Sequence, residues 1–444
     1  MKKAVVVGGG ISGILSAYLL KDKVDEVYLI EKQSTLGGLL RSFTNETGLS
    51  FDYGTHFVLS TGLPELDALL FEEMHPESWY TFRESLKEGH YFNGCFYERS
   101  GCIDATTLSK DMFAKGITEL LNLRQSNLSQ ENLQDYLENL YGKTFTQYIY
   151  QPIYKKLTGY DLTRLNWKIH NNFHIKRLII TKNSFISNEL KKSKFFDERI
   201  AYSSFMDGSS KTIKYYSKTK GVGLWVQNFA SKIAQQQVKI LTNRFVRQIK
   251  HENGTVKAVV LNNGEVINCD TLVWTIPIAL FLRAAKVNFP IHKPKTKTVI
   301  LIHLTFDAAI QTDLHWVSCY DPSFKSYRIT LYPNITTETV KKPPHHLTVE
   351  VLSDGPDFED NLVSTVKREL FEIGLLPKNA KSIYEKVQIL NNAIPILTND
   401  FVDSSQAQEK FVQEHFPSVI FTRHIGTSHM IGLLRESYRK IMDL

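Results

Sequence analysis

The apolar positions at the start of the chain change period twice within thirty residues. Val5, Val6 and Val7 form an unbroken apolar run of strand length, the stretch from about Ser12 to Leu20 is apolar over helical length, and Glu26 to Ile30 (EVYLI) reads as a strand again. A strand, a helix and a second strand are therefore predicted in that order. Two lysines ahead of an apolar run also open a secretory leader. Three consecutive glycines, Gly8 to Gly10, would unravel an export helix, and Lys21, Asp22 and Lys23 come next without a small-residue cleavage pattern. The leader reading is set aside.

Later stretches repeat the alternation. From Lys220 the chain predicts a turn at Gly221 and Gly223, a helix, a strand ending near Val246, a hairpin through Asn253 and Gly254, a second turn at Asn263 and Gly264, and a buried strand running to Pro277. SVIFTRHIGTSHMIGLLRESYRKI predicts a strand, a turn and an amphipathic helix carrying Met430, Leu433, Leu434, Ser437, Tyr438 and Ile441. Between these segments Leu133, Tyr136, Leu137, Leu140 and Tyr141 recur at helical spacing. TVILIHLTF, YRITLYPNI and HHLTVEVLS alternate like strands.

The glycines carry the first chemistry. Gly8, Gly10 and Gly13 spell G-x-G-x-x-G between the first strand and the helix: a tight turn, a close approach of phosphate to backbone, and a close helix–strand contact. Free N–H groups and the positive dipole end of the helix would face a pyrophosphate. Glu31, at the end of the second strand, supplies the acidic side chain expected to accept hydrogen bonds from an adenosine ribose. The motif alone leaves an ordinary strand–helix–strand unit open.

The residues after Glu31 narrow the dinucleotide. EKQSTLGGLLRSF carries Gly37, Gly38, Arg41 and Ser42, and FDYGTHF carries Asp52, Gly54 and His56. In this order they resemble the flavoprotein amine oxidase superfamily, which includes monoamine oxidases, protoporphyrinogen oxidases, phytoene desaturases and UDP-galactopyranose mutases. The resemblance implies FAD as cofactor. It also implies an α/β fold with a Rossmann-like, discontinuous (GR2-type) FAD-binding domain, a mixed-sheet substrate domain and a helical cap. On the matched segments, residues 1–60, 215–290 and 396–444 would form the FAD domain, 61–214 the cap, and 291–395 the sheet that floors a substrate pocket. Gly142, Pro152, Gly159 and Asp161 fit the superfamily's cap pattern.

The cofactor-binding residues implied are Gly8, Gly10, Ser12, Gly13, Glu31, Lys32, Gly38, Leu39, Arg41, His56, Val246 through its amide, Arg423 and Ile431. Thr422 and Arg423 stand where relatives carry G-D or G-R, so Arg423 is read either as a bidentate donor to the pyrophosphate or as a plain surface arginine. Flavin chemistry needs little help from protein acids and bases. His56 beside the ring and Arg328 on a pocket-facing strand are the candidate catalytic residues, and such an arginine would favour an anionic or nucleotide-linked small molecule.

The resemblance implies two reaction classes: oxidation of a C–N or C–C bond by hydride loss to flavin, and a mutase-like rearrangement of a nucleotide sugar on reduced flavin. Mutases carry a second histidine in G-x-H-x-F-H, where this chain has Leu59, and a tyrosine pair before a late proline, where it has Ala393, Ile394 and Pro395. Oxidation therefore ranks first. A catalytically degenerate flavin-binding protein is the third reading.

Composition adds little that is specific. The chain has 444 residues, 42% hydrophobic and 22% charged, enough for two or three domains. No apolar run is long enough to span a membrane. Four scattered cysteines show neither a disulfide framework nor zinc spacing, so a reduced cytoplasm is expected and no metal. A formal charge of +7 without a recognisable module argues against nucleic acid. One stretch, residues 168–195, places seven basic side chains against Glu189 among Phe173, Ile175, Leu178, Ile179 and Ile180. It predicts a solvated cap surface, a peripheral contact with anionic lipid, or a face that collects phosphorylated substrates.

Overall fold

A computed structural model describes residues 1–444 except 124–130, 174, 209–211, 237, 337–342, 357–358 and 424–429. The chain divides into two compact units: residues 1–81, 214–293 and 400–444 form the first, and 82–213 and 294–399 the second.

In the first unit a five-stranded parallel sheet runs in the order Val238–Leu241, Glu26–Ile30, Lys3–Val7, Thr271–Trp274, Val419–Phe421. Ala4, Val5 and Val6 are fully buried because both faces of the central strand are covered. On one face Ile14, Leu15, Trp225, Phe229, Leu434 and Ile441 share a core, so the C-terminal helix Met430–Met442 packs against the first helix, Ile11–Leu20. The stripe predicted for that last helix is the one that faces inward. On the other face Phe281, Phe416 and Trp274 join the hairpin Val246–Glu252/Thr255–Leu261. Asn253 and Gly254 turn that hairpin with φ of 47° and 78°, the left-handed pair such a two-residue turn requires. Val246 begins this hairpin. The strand before it already ends at Leu241.

Residues 61–81, expected in the cap, belong to the first unit instead. Leu66, Leu70 and Trp79 enter its core, and Trp225 Nε1 donates to Leu70 O at 2.9 Å. A surface loop would have left those side chains in water.

The second unit joins the helical stretch and the sheet that the sequence separates. Its seven-stranded sheet has the order Ser382–Pro395, Thr296–Phe306, His345–Ser353, Ser326–Leu331, Trp316–Cys319, Glu88–Phe92, Cys95–Tyr97. Two strands thus come from residues assigned to the cap. The strand read in YRITLYPNI stops at Leu331, and Tyr332–Ile335 form a helical turn with Pro333 in its first positions, where the missing N–H costs nothing. Among the helices, Gly142 and Gly159 close Leu133–Tyr141 and Gln151–Thr158 with positive φ, and Gln151 and Lys155 both donate to Asp161 Oδ1 at 3.1 Å.

Candidate functional site

The phosphate loop sits where the strand order of the parallel sheet reverses, at the carboxyl ends of Lys3–Val7 and Glu26–Ile30. Gly8 turns the chain at φ 109°, its N–H donating to Ile30 O at 2.9 Å. A Cβ at Gly13 would lie 1.8 Å from Gly8 O, so helix and strand touch backbone to backbone there. Gly10 differs: its φ of −73° suits any residue, and a Cβ built on it meets no atom within 4 Å. The protein leaves that space open.

A second glycine pair backs onto the first. Gly37 N–H donates to Gly9 O at 2.8 Å, a Cβ on Gly38 would approach Gly10 Cα at 3.5 Å, and Arg41 donates from Nε to Gly38 O at 2.7 Å while lying over the Tyr53 ring. Two chain segments thereby form one backbone-lined cradle. The first helix has Gly10 as its N-cap residue and no side-chain cap, although Ile11, Ser12 and Gly13 are all buried. Buried helix-start amides without a side-chain acceptor are what a pyrophosphate would satisfy. The residues fit the dinucleotide.

Glu31 already has protein partners: Oε2 accepts from Gly9 N at 2.6 Å and Oε1 from Gln33 N at 2.8 Å. A carboxylate has about four lone-pair sites, so capacity for a ribose remains. The structure adds a role, since Glu31 pins the first turn of the loop. Ser12 is turned toward the protein. Its Oγ lies 2.5 Å from Ser437 Oγ and 3.3 Å from Thr422 Oγ1, and Ser437 donates onward to Leu433 O. The C-terminal segment is hydrogen-bonded to the phosphate loop through these hydroxyls. Lys32, Leu39 and Arg423 are exposed, whereas Val246 and Ile431 are half-buried. Residues 424–429, between Arg423 and that helix, lie outside the described residues.

Asp52 is one letter of a motif in the sequence, yet in the structure it organises the loop carrying His56. Fully buried, it accepts from Ser42 Oγ at 2.5 Å, Tyr216 Oη at 2.7 Å and Val222 N at 3.0 Å, while Ser42 Oγ accepts from Gly223 N. Burial raises its carboxyl to about 6, and the hydrogen bonds pull the other way. His56 lies at the end of this clasp, its Nδ1 3.1 Å from Gly54 O.

Arg328 belongs to the second unit and sits on one face of its sheet. Strand register puts Leu301, Glu350, Arg328, Ser318 and His90 in one cross-strand row, and His303, Thr348, Thr330, Trp316 and Glu88 in the next. Rows two residues apart share a face. The opposite face holds Ile300, Ile302, Leu304, Val317, Ile329, Leu347 and Val349 against the helix Leu362–Ile373. One sheet thus has an apolar face and a buried polar one. On the latter Arg328 meets Glu350 bidentately, Nε to Oε1 at 2.7 Å and Nη2 to Oε2 at 2.9 Å. Burial works against the arginine's charge, but Glu350 outweighs it and raises the guanidinium's pKa. The charge that suggested an anionic substrate is therefore matched inside the protein. His303 Nδ1 and Tyr332 Oη both meet Thr348 Oγ1, at 2.8 and 2.9 Å.

A family model described as flavin containing amine oxidoreductase matches residues 11–338. A 4,4'-diapolycopen-4-al dehydrogenase of Metabacillus indicus is 26% identical over 303 residues, covering 61% of this chain and 55% of that protein. The chain spans about half the length of the curated relatives it matches. Two solved structures share the fold over nearly the whole chain. A reduced UDP-galactopyranose mutase superposes with TM-score 0.76 at 15% identity, covering 99% of this chain and 95% of that one. A protoporphyrinogen oxidase candidate from Exiguobacterium sp. 255-15 superposes with TM-score 0.69 at 16%, covering 100% and 98%. At such identities the superpositions speak for fold alone.

Proposed function

Because this chain belongs to the flavin-containing amine oxidoreductase family, with FAD as its cofactor, we propose that it is an FAD-dependent oxidoreductase. It would oxidise a C–N or C–C bond of a small molecule that carries hydrogen-bonding groups. The observation that carries this reading is the open space over Gly10 at the start of an uncapped, buried helix.

In this proposal the amides of the first helix and of Gly38 would hold the pyrophosphate, Glu31 would accept from the ribose, the Val246 amide would meet the adenine, and Arg41 and Arg423 would supply positive charge. Bound FAD supplies a two-electron acceptor. The substrate would lose hydride from one carbon and a proton from the neighbouring nitrogen or carbon, with oxygen or another acceptor as the final oxidant. Asp52, through Ser42 and Val222, holds the turn that presents His56. Arg328 has three N–H donors beyond the two that meet Glu350, so it can bind a carbonyl or hydroxyl oxygen without needing a substrate charge.

The polar sheet face also favours a second reading, a rearrangement of a nucleotide sugar on reduced flavin. Both readings are tested on the purified holoprotein by visible spectroscopy under nitrogen. Bleaching of the oxidised spectrum on mixing with amines, porphyrinogens or hydroxylated compounds supports oxidation. Turnover of a UDP-sugar only after dithionite supports the rearrangement. A colourless protein that takes up no FAD defeats both.

A further inference from the structure

The polar sheet face of the second unit is not sealed throughout. Thr330, Thr348, Ser318 and Glu350 are buried, whereas Glu88, Tyr327 and Arg328 beside them keep accessible surface. Each of the three is built into place. Ser326 faces Val351 and Arg328 faces Glu350, so Tyr327 is the extra residue of a bulge, the kind of irregularity that re-aims a side chain. The Arg328 guanidinium lies over the Tyr327 ring at 5.6 Å, and Phe173 meets that ring edge-on with centroids 6.3 Å apart. Glu88 starts the neighbouring strand with its carboxyl laid against Gly101, where a Cβ would fall 2.0 Å from Glu88 Cδ. Only a glycine leaves that room.

Two carboxyls, Glu350 and Glu88, act on Arg328. Glu350 takes it bidentately, and among the described residues Glu88 has no ion pair of its own. Its partners are neutral: Ser318 Oγ donates to Oε1 at 3.2 Å, and the Trp316 indole also hydrogen-bonds to the carboxyl. Burial raises Glu88 above the usual carboxyl range, against the pull of those two hydrogen bonds and of Arg328. Tyr320, Tyr327 and Cys102 also face Glu88. Burial raises all three, Tyr327 to about 12 and Cys102 to about 11, so at neutral pH the charged group among these neighbours is Arg328. A carboxylic acid has one O–H to give. Arg328 keeps spare N–H donors, and the Tyr327 hydroxyl has no hydrogen-bond partner among the described residues.

We propose that Glu88, Tyr327 and Arg328 form one donor site for a neutral substrate oxygen, a carbonyl or an uncharged hydroxyl, with Glu88 giving a hydrogen bond from its carboxylic acid O–H. This rests on the oxidoreductase reading only in taking the ligand to be the substrate. Charge sets the ligand class. With Arg328 matched by Glu350 and Glu88 protonated, the site offers donors but no net charge, so a carboxylate entering it would lose its water without gaining a counter-ion. A carbonyl oxygen loses less. Glu88 is in this reading a recognition residue and not the base that takes the substrate's proton.

The test is infrared spectroscopy and calorimetric ligand binding on the oxidised full-length holoprotein. At pH 7 the wild type should show the carbonyl stretch of a protonated carboxyl that shifts in heavy water and is missing from Glu88→Gln. Benzamide serves as the neutral probe and benzoate as its charged counterpart. Benzamide should bind the wild type more tightly than benzoate does. Glu88→Gln keeps an N–H donor in the same shape and should change benzamide affinity little, whereas Glu88→Leu and Tyr327→Phe should each lower it by roughly fivefold. Should Glu88→Leu not fold, the infrared band and Tyr327→Phe still decide. Absence of a Glu88-dependent band at pH 7 overturns the proposal, as does tighter binding of benzoate. So does benzamide that fails to bind, or that binds the Leu and Phe variants as it binds the wild type. No turnover is involved, so a protein that passes these tests yet oxidises nothing would defeat the functional reading and leave the donor site standing.

Discussion

The phosphate loop and the polar sheet face are both lined by polar groups away from water, yet they announce function in opposite ways. At the loop the chain leaves things undone: an uncapped buried helix start, and open space above Gly10. On the sheet face the polar side chains have partnered one another, Arg328 with Glu350 and His303 and Tyr332 with Thr348. A cofactor that always resides in its site can be given donors held in reserve. Polar side chains that must stay folded without a resident ligand need partners of their own.

The comparison breaks most sharply at two glycines. Gly13→Ala should unfold the first unit, since its Cβ would fall 1.8 Å from Gly8 O with backbone on both sides. The cost expected is more than about 4 kcal/mol, read as insoluble expression or loss of the cooperative transition. Gly10→Val should fold with a near-normal midpoint when apoproteins are compared, and should elute without flavin colour. A flavin-loaded Gly10→Val protein would mean that the phosphates do not sit over Gly10.

On the sheet face, Glu350→Ala should cost about 3 kcal/mol, the lower end for a broken buried pair because Arg328 keeps 23% of its side-chain surface. Arg328→Met with Glu350→Leu should cost less than the single change. Urea denaturation compares them. If the double variant is the worse, the pair contributes net stability beyond satisfying itself.

Protonation should separate the units next. Asp52, raised by burial to about 6 from 3.8, binds a proton more readily folded than unfolded, so its contribution to the first unit declines as pH rises from about 4 to 6, by about 3 kcal/mol. His90, His170, His303 and His315, all in the second unit, are lowered by burial to about 4, 3, 4 and 4. Their stabilisation is present above the unfolded value near 6.5 and is lost as pH falls toward 4. His90 shows the neutral form directly, Nδ1 donating to Ser100 O while Nε2 accepts from Asp104 N. Hydrogen exchange at pH 7 and pH 5, corrected for intrinsic rates, should show the second unit losing more protection on acidification. Asp52→Asn should flatten the first unit's response and leave the second unchanged.

The smallest effect expected is Ser12→Ala, about 1 kcal/mol for the loss of the hydroxyl link to Thr422 and Ser437. Thermal denaturation of the holoprotein checks it, with flavin retained.

Much of the loop is legible in the sequence alone, and for a reason. G-x-G-x-x-G, Glu31 and the Gly37–Gly38 pair act through backbone conformation over short separations, so spacing along the chain is nearly their geometry. The C-terminal stripe is legible by the same local periodicity. Asp52 is visible there only as a letter in a motif, because its partners Ser42, Tyr216 and Val222 come from distant segments. The pairing of Arg328 is hidden too. Glu350 stands opposite it only through strand register, and an arginine read alone suggests an anionic ligand.

Alternating and helical patterns, turn glycines and the phosphate motif are properties of neighbouring residues, and these the chain determined by itself: a parallel sheet with a dinucleotide loop, and a family. Tertiary packing decided what lies across space. It sent residues 61–81 into the first core, gathered a polar sheet face from strands far apart in sequence, and left Phe185 and Ile186 in water while burying the apolar residues beside them. Burial and charge pairing depend on which distant surfaces meet, and no local spacing records that.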